Sequence, residues 1–154
     1  MEGPIDIGDL IGMRHAFLIR DPVRVAASYA DKRTEIRPEH LGVSRQREYF
    51  DRIAELDGKA PPVIDSADIL ADPRAMLEKL CIAIGIAWDP AMLAWERGPH
   101  PQDGVWGSHW YDKVNASTCF GSPPGPLPEL NPEYARVAEA CHADYEALRA
   151  YALG

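Results

Sequence analysis

The chain of 154 residues has the length of one domain and can bury about two-thirds of its unfolded surface. Its net charge of −8 and pI of about 5.0, with no basic stripe, argue against nucleic acid as a partner. No run approaches the roughly 18 apolar residues of a membrane span, and no basic start followed by an apolar core marks a secretory signal, so a cytoplasmic protein that does not enter membranes is expected.

The first predicted element is a strand over Ala16-Phe17-Leu18-Ile19, an apolar run of the kind that forms a fully buried strand. Asp21 is a suitable N-cap, and Pro22 fits a first helical position because its φ is already helical and its missing N–H has no partner there anyway. The strand therefore ends at Arg20, and a helix should run from residue 22 to about 32. Its 3.6-residue spacing puts Val25, Ser28, Tyr29 and Lys32 on one face, from which Ser28 can turn back toward the strand end. Arg20 offers a planar fork of donors suited to phosphate, and Ser28 adds a hydroxyl eight residues later. The carboxyl ends of parallel strands are also where open α/β sheets bind ligands. Arg20, Arg24, Lys32 and Arg33 gather positive charge here. The pattern reads either as an anion site or as a solvated basic helix with Arg20 paired to Asp21, Asp65 or Asp68.

A helix over about 44–57 should bury Tyr49, Phe50, Ile53 and Leu56 and close at Gly58, and residues 61–65 read as a second strand. Asp72-Pro73, Asp89-Pro90 and Asn131-Pro132 repeat the cap-then-proline signal and predict three more helix starts. After Pro73 the residues Met76, Leu77, Leu80, Cys81 and Ile84 recur at helical spacing up to Gly85, as expected of a packing helix. In the aromatic segment 100–111, Trp106, Trp110 and Tyr111 can stack on an adenine or anchor a loop to the core, and His109 is a candidate general base. Lys113 is a candidate anion contact. Residues 122–128 form a Pro- and Gly-rich loop before a last helix whose stripe is Tyr134, Val137, Cys141, Tyr145 and Leu148. Cys81, Cys119 and Cys141 are odd in number and widely spaced, which signals neither a disulfide framework nor a metal site; Cys81 and Cys141 read as core. With two strands the sheet has an unprotected edge, open to dimerisation or strand exchange.

The apolar strand, Arg20, the short turn and Ser28 together resemble the 3′-phosphate-binding segment of sulfotransferases, and Phe17-Leu-Ile-Arg20-Asp-Pro22 followed by Val25-Ala-Ala-Ser28-Tyr29 is especially similar to bacterial members. Pro62-Val-Ile-Asp65 through Asp72-Pro73 resembles the family's later strand and turn, which lead into a helix ending Leu80-Cys-Ile-Ala-Ile-Gly85. Gly104-Val-Trp106-Gly107-Ser-His109-Trp110-Tyr111 sits where the family places a loop that closes over the nucleotide. The resemblance covers roughly residues 14–120. It implies an α/β, P-loop NTPase-like three-layer fold, incomplete here, mostly helical with a small parallel sheet. It also implies 3′-phosphoadenosine-5′-phosphosulfate (PAPS) as co-substrate, with Arg20 and Ser28 on its 3′-phosphate. Arg24, Trp106, Trp110 and Lys113 are the further cofactor-binding candidates, and His109 is the catalytic one. The reaction implied is sulfuryl transfer to a small-molecule hydroxyl or amine.

Sulfotransferases hold the 5′-phosphosulfate with a Gly- and Lys-containing loop, and no Gly-x-x-x-x-Gly-Lys occurs in this chain. The nearest spacing, Gly3 to Gly8, is followed by Asp9, whose carboxylate would repel phosphate. Residues 1–154 are therefore expected to be a single sulfotransferase-like domain, incomplete at its N-terminus. Three explanations are expected to compete: a fragment, a truncated gene product, or a subunit, as a homodimer or with another partner that supplies the loop. The alternative is a non-catalytic helical interaction module with a decayed nucleotide site. Arg20 paired to Asp65 or Asp68 with no open cleft would favour that alternative.

Overall fold

Two apolar segments far apart in sequence build the sheet. In the computed structural model, which describes residues 12–30, 35–101, 103–105, 107 and 111–154, β1 (Phe17–Ile19) and β2 (Val63–Asp65) pair in parallel. Phe17 lies opposite Val63, Leu18 opposite Ile64 and Ile19 opposite Asp65. A parallel pair needs a long crossover, which α1 (Pro22–Ala30), α2 (Pro38–Leu41) and α3 (Val43–Asp57) supply. After β2 come α4 (Ser66–Ala71), α5 (Pro73–Ile84), a 3₁₀ turn (Pro90–Leu93), α6 (Asp112–Asn115), α7 (Pro132–Ala140) and α8 (His142–Arg149). The chain is thus a mostly helical α/β fold around a small parallel sheet, as the sequence led us to expect.

The far edge of β2 is occupied: Ala152 bridges to Val63 in parallel, and the Leu153 N–H donates to the Val63 carbonyl at 2.8 Å. Among the described residues β1 therefore forms the open edge. Its Leu18 carbonyl accepts the Gln46 side-chain amide at 2.9 Å. This edge explains why β1 is not the fully buried strand its composition suggests. Phe17 and Ile19 are buried, but Leu18 between them is 56% exposed beside a groove of about 620 Å³ lined by Phe17, Arg45, Gln46, Tyr49 and Ile53.

The core lies on the other face. Ile19, Ala26, Val63, Phe50, Ile53, Tyr134, Ala138, Cys141, Tyr145 and Leu148 pack together, with α1 against α7 and α3 against α8. Every cap-then-proline signal is realised. Asp21, Asp72, Asp89 and Asn131 each accept a hydrogen bond from a backbone N–H of the following turn, at 2.8 to 3.0 Å. After Asp89, however, only the 3₁₀ turn forms. Three expectations need correction. Leu56 lies outside the α3 stripe and is 54% exposed, while Val43 is buried at the other end of the helix. In α5 only Met76 and Cys81 are buried, because that helix packs on α4 and the 3₁₀ turn and does not reach the core. The last helix is two helices, broken at Cys141, whose N–H turns to the Ala138 carbonyl.

Candidate functional site

The carboxyl ends of β1 and β2 lie side by side, and the chain turns into a helix from each. At the end of β1, Asp21 starts α1: its Oδ1 accepts the Val23 N–H at 2.8 Å, and its carbonyl accepts from Arg24 and Val25. Arg20 stands at this corner with its side chain exposed. Among the described residues its guanidinium makes no hydrogen bond or ion pair. Ser28 lies exposed on α1, and its hydroxyl is likewise unbonded among them.

At the end of β2, Asp65 is the one buried charged residue among those described, 2% exposed. Its Oδ1 accepts the Ala67 N–H at 2.7 Å and so caps α4, while its Oδ2 accepts the Tyr145 hydroxyl at 2.7 Å. Arg149 completes the cluster with a fork onto Asp68 at 2.6 and 3.2 Å and its Nε 3.8 Å from Asp65. Burial and the Asp65 carboxylate push the Tyr145 phenol well above its ordinary range, so it is a hydrogen-bond donor at neutral pH. Burial works against the Arg149 charge, but Asp68 and Asp65 outweigh it and raise its pKa. Of the carboxylates that the sequence offered to Arg20, Asp65 and Asp68 are thus held by Arg149, and Asp21 caps α1. The pleat explains the choice: Asp65 pairs in register with buried Ile19 and shares its face, whereas Arg20 comes one residue later on the exposed side.

Of the other candidates, Arg24 donates to the Gly125 carbonyl, which ties the Pro- and Gly-rich loop to α1. Lys113 is exposed on α6, in a segment stitched to itself by Trp95 N–H to Thr118, Gly98 N–H to Asn115 and the Trp95–Phe120 edge contact. No hydrogen bond or ion pair brings Lys113 to Arg20. Trp106, His109, Trp110, Lys32 and Arg33 lie outside the described residues. Among the described residues no group of His, Cys, Asp and Glu is arranged to hold a metal ion, and no helix is long and apolar enough to cross a membrane. The residue missed from sequence is Arg149. Its signal is the Tyr145/Arg149 pair four apart on one helix face, matching Asp65 and Asp68 three apart.

Comparison with known proteins adds a family. The profile of the sulfotransferase domain matches residues 2–152. The chain is 31% identical over 144 residues to branched-chain-amino-acid aminotransferase-like protein 2 of Arabidopsis thaliana, covering 90% of this chain and 24% of that protein. It is 34% identical over 113 residues to branched-chain-amino-acid aminotransferase-like protein 1 of the same plant, covering 71% and 20% respectively. The chain thus spans about a quarter or less of the length of these curated relatives. No solved structure matches it.

Proposed function

We propose, for a chain that belongs to the sulfotransferase family, that the corner at the end of β1 binds the 3′-phosphate of PAPS or of its product 3′-phosphoadenosine-5′-phosphate (PAP), with Arg20 and Ser28 as ligands. The observation that carries this reading is the Arg20 guanidinium, exposed at the carboxyl end of a parallel strand and without a partner among the described residues, while Arg149 holds Asp65 and Asp68. Arg20 folded onto Asp65 or Asp68 with no open cleft would have favoured an interaction module with a decayed site. Arg24, half-buried and tied to Gly125, contributes charge from α1, and Trp106, Trp110 and Lys113 are retained as nucleotide contacts from the later loop.

Sulfuryl transfer to a small-molecule hydroxyl or amine is the activity that follows. A base, for which His109 is the candidate, takes the acceptor's proton as its oxygen or nitrogen attacks sulfur, while PAP leaves with the bridging oxygen stabilised by cations. The 5′-phosphosulfate needs a phosphate loop, which we assign to a further segment of the polypeptide or to a partner subunit. Among the described residues the edge of β1 is open, and with the exposed Leu18 and the groove beside Gln46 it supports docking of such a segment there. The test is calorimetric titration of PAP into the native protein and Arg20→Ala. Loss of affinity by tenfold or more on substitution is expected, and unchanged affinity would remove Arg20 from the site.

A further inference from the structure

An anion bound at Arg20 would sit at one end of a sheet that also carries two carboxylates. Asp65 ends β2 opposite Ile19, one residue from Arg20, and Asp68 follows in the first turn of α4. Left bare, these charges would repel a phosphate and offer Arg20 an internal salt bridge in its place. Arg149 answers both. Its guanidinium grips Asp68 at 2.6 and 3.2 Å and stands 3.8 Å from Asp65. Among the described residues no other cation is bonded to either carboxylate.

We propose that Arg149 is a positioning residue for the anion site: by holding Asp65 and Asp68 it keeps Arg20 unpaired and reduces the negative potential where the phosphate binds. Arg149 touches no ligand in this scheme. It acts from α8, the last helix, and so couples the C-terminal part of the fold to a site built at the first strand. The inference rests on the reading of Arg20 as a phosphate ligand. A unit charge on the order of 10 Å from a surface anion changes its affinity by roughly two- to tenfold at low salt, and less as salt screens it.

The test is titration with PAP at low and at high salt, using the native protein and the variants Arg149→Gln, Arg149→Lys and Asp68→Asn. Arg149→Gln should bind about two- to tenfold more weakly at low salt, with the difference shrinking at high salt, and Arg149→Lys should stay within about twofold of native. Asp68→Asn removes a partly exposed carboxylate without disturbing the Asp65 cap, and should bind more tightly than native. A purely structural Arg149 would lower the melting temperature yet give no salt-dependent affinity change and no gain in Asp68→Asn. Native binding with Arg149→Gln and Asp68→Asn both unchanged overturns this inference alone. Absence of nucleotide binding by the native protein overturns the reading of Arg20 and this inference with it. Should Arg149→Gln fail to fold, Asp68→Asn decides: tighter binding supports the proposal, and equal or weaker binding overturns it.

Discussion

The Tyr145 hydroxyl donates to the Asp65 carboxylate across 2.7 Å, a bond between residues 80 apart in sequence that fastens the last helix to the end of β2. Through it the buried carboxylate that caps α4 and the helix that carries Arg149 become one unit, and the sheet ends are fixed relative to each other. A carboxylate buried to this degree without such partners would be strongly destabilising.

The bond has a pH signature. Tyr145 holds its proton more tightly in the folded chain than in the unfolded one, where it titrates near 10.0. Its contribution to stability is therefore complete below that pH and is lost as pH rises beyond it. Urea unfolding should show native stability falling more steeply above about pH 10 than that of Tyr145→Phe, by up to roughly 1.4 kcal/mol per pH unit. Parallel pH profiles for the two proteins would show that the phenol is not held in this way.

Helix starts are set by side chains that the sequence already displays. Asp72 accepts the Ala75 N–H at 3.0 Å and Asn131 the Tyr134 N–H at 2.9 Å. Alanine at either position should lower stability by about 1 kcal/mol, while serine recovers most of the loss. Chemical denaturation measures both; alanine variants as stable as native would leave the two prolines as the only helix-start signals.

The two sides of α3 differ by position alone. Ile53 faces the core and Leu56, one turn on, faces solvent. Ile53→Ala should cost about 2–5 kcal/mol through transfer and cavity terms, and Leu56→Ala less than about 1 kcal/mol. Equal losses in denaturant titration would mean that Leu56 is covered.

These contrasts mark how far the sequence is legible. Caps and prolines are local chemistry, so Asp21, Asp72, Asp89 and Asn131 could be read directly, as could Gly58 and Gly85 as helix stops with φ of 64° and 68°. The strand end at Arg20 was readable for the same reason. What periodicity could not supply is which side of an apolar element has a neighbour: it misjudged Leu18, Leu56 and the outer residues of α5, whose exposure depends on what packs against them. The break at Cys141 keeps the hydrophobic phase and so leaves no trace in it. The Tyr145/Arg149 spacing is visible in the sequence, but its meaning comes only from contact with Asp68, 81 residues before Arg149.

Arg20 and its helix are proposed to recognise a 3′-phosphate. Calorimetric titration of the native protein with PAP against adenosine 5′-monophosphate isolates that group, since the two ligands differ only in it. A charge-assisted contact contributes roughly 1.5–3 kcal/mol, so PAP should bind at least about tenfold more tightly. Equal affinity for the two nucleotides, or no binding of either, would contradict the account.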